Sequence, residues 1–286
     1  DRGPDVLHLQ NVHAAASSVL RYLAMLVRAR LAGVRIVWTV HDLRRHDNPR
    51  PLRDAFITAV TLRLAHALIV HCDEGRSELR QFAQKAITIP HGRYTGYYEN
   101  RVTRAEAGRI LGVPEEAFVF LLFGWIRRYK GVEQLLDAFE RVGGNAHLVI
   151  AGSVPDSALL RELERRTSQS ARITFAPGAV PDEQVQLYLN ACDVVVLPYQ
   201  HSFTSGAAVL AMSFAKPCIA ARRGCIGGMF DEGGAFLYEG DALLDAMQRA
   251  MSAQDVAAMG AHNHARVTQW DWDRVARETA GLYELL

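Results

Sequence analysis

VFLLFGWIRRYKG, residues 119–131, opens on five apolar residues in a row, Val119 to Phe123. That run is too short for a helix and right for a strand buried on both faces. Gly124 follows, then three cations, Arg127, Arg128 and Lys130, then Gly131. Beyond it, VEQLLDAFERV sets Val132, Leu135, Leu136 and Phe139 at helical spacing. The stretch is therefore a strand, a basic glycine-flanked loop and a helix. Open α/β sheets bind ligands at the carboxyl ends of their parallel strands. A cationic loop there, beside a helix N-terminus, suits an anion such as a diphosphate. The same pattern also arises where arginines are merely solvated and glycines merely turn the chain, so the neighbouring segments decide.

Outward from that loop the alternation repeats. Downstream, AHLVIAG (146–152), ARITFAPG (171–178), DVVVLPY (193–199) and PCIAA (217–221) are expected strands. SALLRELERRTSQ (157–169), PDEQVQLYLNAC (181–192) and the end of HSFTSGAAVLAMSFA (201–215) supply helices between them. A glycine-rich segment, RRGCIGGMFDEGGAFLY (222–238), leads to two final helices. Upstream, DVLHLQ (5–10), VRIVWTV (34–40), ALIVHC (67–72) and AITIP (86–90) read as strands. The helix between the first two has Leu20, Leu23, Ala24 and Val27 on one face and Gly33 as its C-cap. Others are expected over residues 52–65 and 73–84. Alternating strands and helices make doubly wound sheets. The expected division is a first Rossmann-like domain over residues 1–100, a second, complete one over 101–267, and a closing helix over 268–286 that packs back on the first. A Rossmann-like sheet usually has about six strands, so the first domain, with about four, is expected to lack its opening elements.

Composition narrows the partners. The net charge is only +1, so the chain as a whole has no polyanion-binding signature, and no nucleic-acid partner is expected. Residues 1–100 carry 14 Lys/Arg against 9 Asp/Glu, a mildly basic half. The loop LRRHDNPRP (43–51), with Arg44, Arg45 and Arg50, and Arg53 after it, is a candidate for an anionic membrane surface beside the Leu20–Leu31 helix. A solvated basic loop is the plainer alternative. Cys72, Cys192, Cys218 and Cys225 form no CxxC pair and no metal-ligand spacing; beside apolar runs they read as small buried residues of a reducing compartment. No apolar run approaches the ~18 residues of a membrane span.

A second anion-site candidate is Thr204-Ser205-Gly206, where the strand DVVVLPY hands over to a helix. Ser205 can cap that helix, and the free N–H groups of its first turn carry partial positive charge. Among the histidines, His41 stands out because it ends a buried strand beside Asp42; His71 also ends a strand. Tyr94, Tyr97 and Tyr98 are expected to pack at the hinge between the domains.

With these residues in view, the second half resembles the donor domain of GT-B glycosyltransferases, closest to the large retaining group called family 4. The likeness rests on FGWIRRYKGVEQLLDAF, LVIAGSV, LPYQHSFTSGAAVLAMSFAKPCIA, GGMFDEGGAFLY and WDWDRVARETAGLY. In the first half, DVLHLQNVH, VRIVWTVHDL, LAHALIVHCDE and ITIPHG resemble the acceptor domain. The resemblance implies a GT-B α/β fold, two Rossmann-like domains facing a cleft. It implies a hexosyltransferase of bacterial polysaccharide biosynthesis that takes a UDP- or GDP-sugar as co-substrate, with no other cofactor. The acceptor would be a saccharide or lipid-linked saccharide, and the place the cytoplasm, at the inner face of the membrane. Carried over by position, Arg127 and Lys130 would bind the nucleotide diphosphate and stabilise the leaving group. Gly124 would admit the ligand to the backbone, and Thr204, Ser205 and Gly206 would hold the same diphosphate. His41 would face donor sugar and acceptor. Asp42, His91, Asp231 and Glu232 are candidates for sugar or acceptor contacts. Arg and Lys can stand in for a divalent metal, so metal independence is expected, and the likeness to a retaining group implies retention of configuration.

The chain departs from the family pattern in two of these segments. Trp125 replaces the arginine that usually follows the glycine. The usual pair of glutamates falls on Ser202 and Leu210, and leucine cannot bind ribose hydroxyls. A nucleotide-sugar epimerase of the same architecture and a non-catalytic binding subunit are the alternatives; the first would need acid/base carboxylates, and Leu210 motivates the second.

Overall fold

The computed structural model describes residues 3–10, 12, 18–43, 51–200 and 203–286. Arg44, Arg45 and Arg50 of the basic loop, His13, His46 and Ser202 lie outside the described residues. By contact the chain divides into two compact units. The first holds the residues up to His91 with Phe203, Thr204 and Trp272–Leu286; the second holds residues 92–200 and Ser205–Asp271.

The first unit is built on four parallel strands in the order β1 (Val6–Leu9), β2 (Arg35–Thr39), β3 (Ala67–Val70), β4 (Ala86–Thr88). Side chains alternate across β2. Ile36 and Trp38 face α1 (Val19–Leu31) and α2 (Pro51–Leu64), while Val37 faces the C-terminal helix Trp272–Glu284. A sheet covered on both faces explains why these strands are almost wholly apolar. The C-terminal helix contributes Leu282, with Val275 and Tyr283 beside it, while Trp272 is exposed.

The helix α1 begins where Ser18 accepts a hydrogen bond from Arg21 N and ends before Gly33, at φ +77. Its core face is not the expected one. Tyr22 and Leu26 are buried, while Leu20 and Val27 are exposed. The reason is polar as well as apolar. Tyr22 can turn inward because its hydroxyl lies 2.9 Å from Thr61 Oγ1 of α2. A short helix, α3 (Asp73–Glu78), follows β3.

The second unit is a six-stranded parallel sheet. It comprises β5 (Phe118–Phe123), β6 (Ala146–Gly152), β7 (Ile173–Pro177), β8 (Val194–Leu197), β9 (Cys218–Ala221) and β10 (Ala235–Tyr238), ordered β10-β9-β8-β5-β6-β7. Val119 and Leu121 enter one core, Phe120 and Leu122 the other, as a strand buried on both faces requires. Its helices are α4 (Arg104–Leu111), α5 (Val132–Glu140), α6 (Ser157–Thr167), α7 (Val185–Ala191), α8 (Gly206–Ser213), α9 (Gly224–Met229), α10 (Leu243–Ser252) and α11 (Val256–Thr268). Thr103 and Glu106 form a capping box on α4.

Two segments differ from the sequence expectation. Residues from Gly92 belong with the second unit. Tyr94 N donates to Ser213 Oγ at 3.0 Å, and Arg101 N and Val102 N both donate to Gln186 Oε1. The glycine-rich segment holds a helix, α9, and a strand, β10, so three helices follow it rather than two. Burial of Cys225, Ile226 and Met229 overrides the poor helix propensity of glycine there. Gly227 is needed, since a Cβ would come within 3.0 Å of the Arg222 carbonyl carbon. No described helix is long and apolar enough to cross a membrane.

Candidate active site

The strand order of the second unit reverses at β5, which pairs with β6 on one side and β8 on the other. At such a switch point the loops after the two neighbouring strands diverge and leave a crevice at their carboxyl ends. The loops leaving β5 and β8 are the two anion-site candidates of the sequence.

The β5 loop is fixed by three glycines. Gly124 has φ +103 and donates to Ala151 O at 2.9 Å. Gly152, at φ +139, admits the Gly124 backbone; a Cβ there would sit 1.7 Å from Gly124 O. Gly131 has φ +74, and a Cβ would sit 2.0 Å from Pro198 O on the exit of β8. Gln200 N also donates to Tyr129 O at 2.9 Å. The two loops are thus joined through backbone.

The three cations of the loop differ. Arg128 is committed to Glu133, Asp156 and Glu162. The Arg127 guanidinium lies 5.3 Å over the Trp125 ring. The Lys130 ammonium lies 5.1 Å over Tyr199 and, among the described residues, forms no ion pair. Across the crevice, Ser205 caps α8, its Oγ accepting from Ala208 N at 3.2 Å. That cap leaves the first-turn amides of Gly206 and Ala207 without an intrahelical acceptor. Leu210 is buried in the core, so this turn of α8 presents no carboxylate.

In the first unit, His41, His71 and His91 follow the carboxyl ends of β2, β3 and β4. Parallel register brings them together: the ring centroids of His41 and His71 are 5.2 Å apart, and those of His71 and His91 5.5 Å apart. His91 in turn meets Trp272 edge-on at 5.9 Å. His41 Nε2–H donates to Gln10 Oε1 at 3.0 Å; the Gln10 amide donates to His8 Nε2, and His8 Nδ1 reaches the Tyr283 hydroxyl. This chain fixes the His41 tautomer and leaves Nδ1 as its lone-pair nitrogen. Burial lowers the His41 pKa, His91 adds to that, and Asp42 opposes it. His71 is pushed down to about 4, mainly by burial, although its Nδ1–H donates to Ile89 O. Its Nε2 is buried with no hydrogen-bond partner among the described residues. No group of three or more His, Cys, Asp or Glu among the described residues is arranged to hold a metal ion.

A profile of the family described as Glycosyl transferases group 1 matches residues 117–253, which span β5 to α10. A GDP-mannose:glycolipid 4-beta-D-mannosyltransferase of Xanthomonas campestris pv. campestris is 30% identical over 264 residues, 88% of this chain and 69% of the relative. The chain belongs to the glycosyltransferase group 1 family. More distantly, a D-inositol 3-phosphate glycosyltransferase of Corynebacterium urealyticum is 29% identical over 195 residues, covering 63% of this chain and 46% of that protein. Among solved structures, sucrose-phosphate synthase from Thermosynechococcus elongatus superposes with a TM-score of 0.81 at 21% identity, covering 98% of this chain and 73% of the other. Anabaena HepE in complex with UDP-glucose gives 0.80 at 18%, covering 99% and 79%. The glycosyltransferase therefore has the GT-B fold.

Of the residues singled out in the sequence, this glycosyltransferase places Gly124, Arg127, Lys130, Ser205 and Gly206 in the second unit, and His41, Asp42, His91 and Thr204 in the first. Asp231 and Glu232 are otherwise engaged. Asp231 accepts from Gly233 N, from His262 Nε2 at 2.8 Å and from Arg266 Nη1 at 2.7 Å, stapling the glycine-rich segment to α11. Glu232 pairs with Arg222. The one Asp-x-Asp triplet, Asp271-Trp272-Asp273, opens the C-terminal helix, where Asp273 in the first turn suits the helix dipole. Two tyrosines also stand beside these groups. The Tyr199 hydroxyl, beside Lys130, is buried with no hydrogen-bond partner among the described residues. The Tyr94 hydroxyl stands at the start of α8, where it would lie 3.2 Å from a Cβ on Gly206. The sequence places Tyr94 in hinge packing; the fold of the linker onto α8 brings it to this helix start instead.

Proposed function

We propose that the protein transfers a hexosyl group from a UDP- or GDP-sugar to a saccharide or lipid-linked saccharide, without a divalent metal. This would be a step of polysaccharide assembly at the cytoplasmic face of a membrane. The Xanthomonas relatives are named for GDP-mannose and a glycolipid, which favours a lipid-linked acceptor. The observation that carries the reading is the pair of loops at the β5/β8 reversal. One brings Arg127 and Lys130, the other the first-turn amides of α8, to the carboxyl end of the same sheet.

In this reading the bond from the anomeric carbon to the phosphate oxygen breaks and its electron pair stays on the diphosphate. Arg127, Lys130 and the Gly206 and Ala207 amides would stabilise that growing charge. Fixed donors aimed at a developing anion are worth roughly 2.7–4 kcal/mol each. The acceptor oxygen forms the new bond. Its proton passes to the departing phosphate if configuration is retained, as the family resemblance leads us to expect, and to the His41 imidazole if it is inverted. The product linkage in the relatives' name is β, so anomeric NMR of the product is the measurement that decides for this chain.

Calorimetric titration of the full-length protein with UDP, GDP and ADP tests the reading. One of them is expected to bind, with no change on adding EDTA. No binding of any of the three would sink the transferase reading, and metal-dependent turnover would sink its metal-free form.

A further inference from the structure

The helices α1 and α2 have a second side that the core does not use. Six of the eleven exposed large apolar side chains among the described residues lie on these two helices: Leu20, Met25, Val27, Leu31, Leu52 and Phe56. On α1, Leu20, Ala24, Val27 and Leu31 recur at the spacing i, i+4, i+7, i+11, one stripe on the far side from Tyr22 and Leu26. Leu20 is 78% and Leu31 83% exposed. On α2, Leu52 is 86% and Phe56 51% exposed, one turn apart and opposite the buried Ile57 and Thr61. Both helices are crossovers between strands ordered β1-β2-β3. Right-handed crossovers place them side by side on the same face of the sheet. Their outer sides therefore point away from the sheet together. The charges on that layer have one sign. Arg21 and Arg28 flank the α1 stripe and Arg63 is exposed on α2. The α1 sequence contains no acidic residue, and the one acid of α2, Asp54, is buried.

We infer that this layer docks on an anionic lipid bilayer, with Leu20, Val27, Leu31, Leu52 and Phe56 entering the interface and Arg21 and Arg28 meeting the headgroups. Apolar insertion combined with cationic attraction is the requirement for interfacial binding. Charge selects this occupant. In a two-fold contact a second copy would set the same arginines against each other with no exposed carboxylate on either pair of helices. The inference rests on the lipid-linked-acceptor reading for its purpose, and it extends the contact expected of the Leu20–Leu31 helix to the outer side of α2.

The test is flotation of the full-length protein with phosphatidylcholine vesicles, with and without phosphatidylglycerol. Binding is expected only to the anionic vesicles and is expected to be lost near 0.5 M salt, where screening shortens to roughly 4 Å. A Leu20→Ser/Leu31→Ser/Leu52→Ser variant is expected to bind at least about tenfold more weakly. An Arg21→Glu/Arg28→Glu variant is expected to lose more than about tenfold. Nucleotide titration of both variants reports that they are folded and should match the parent. Vesicle binding by the folded leucine variant at the parental level overturns the inference, as does failure of the parent to bind. Loss of a dimer in light scattering, with no vesicle binding by the parent, assigns the face to a second copy instead. Failure of nucleotide binding with vesicle binding intact would reject the transferase reading and leave the docking surface standing.

Discussion

At the scale of residues, the three cations of the β5 loop look alike in sequence and differ in what they touch. Arg128 is held by three carboxylates, Arg127 lies over Trp125, and Lys130 lies over Tyr199. Lys130→Ala is therefore expected to lower kcat about 100- to 1000-fold. The thermal midpoint should move by no more than about 2 °C, since the half-buried ammonium makes no ion pair among the described residues. Parallel loss of turnover and midpoint would assign Lys130 to structure instead. His41 was legible because it ends a buried strand. The partnership with His71 and His91 was not, because periodicity locates strands but says nothing of register. Only the parallel pairing of β2, β3 and β4 shows that three separate strand ends meet.

At the scale of elements, the strand–loop–helix from β5 to α5 could be read directly, since five apolar residues, two glycines and a helical repeat all agree. The glycine-rich segment could not. Its local preference opposes helix, and packing of Ile226 and Met229 decides the outcome. Within the β5 loop itself Gly131 is doubly constrained, since both the positive φ and the nearness of Pro198 O exclude a side chain. Gly131→Ala is expected to cost about 2–4 kcal/mol in chemical denaturation, from left-handed strain together with displacement of the β8 exit. A cost under about 0.5 kcal/mol would mean that the two loops are not held together as described.

At the scale of the whole molecule, alternation gave the α/β class and two units, but not the side to which residues 92–100 attach. That choice depends on long-range bonds such as Arg101 N to Gln186, which no local pattern encodes. Stability should also depend on pH in a definite sense. His71 falls from its ordinary 6.5 to about 4, and burial lowers His8, His41 and His147 as well. Between about pH 6.5 and 4 the unfolded chain holds protons that the folded chain does not, so stability falls as pH falls through that window. His71 alone contributes on the order of 3 kcal/mol across it. Thermal midpoints measured from pH 7 to 4 should decline, and His71→Asn should flatten the decline. A flat parental profile would contradict the burial of these imidazoles.

The backbone contact of Gly131 with Pro198 and the bond from Gln200 to Tyr129 also bear on redesign. A loop borrowed from a relative to change donor choice would arrive with a partner surface cut to another shape. Grafts of the β5 loop alone should misfold locally, whereas transplanting it together with the β8 exit as one cassette should keep the fit. The β5 loop and the β8 exit therefore form one structural block made of two sequence segments some seventy residues apart, and libraries that vary only one of them would sample mostly loops that no longer fit.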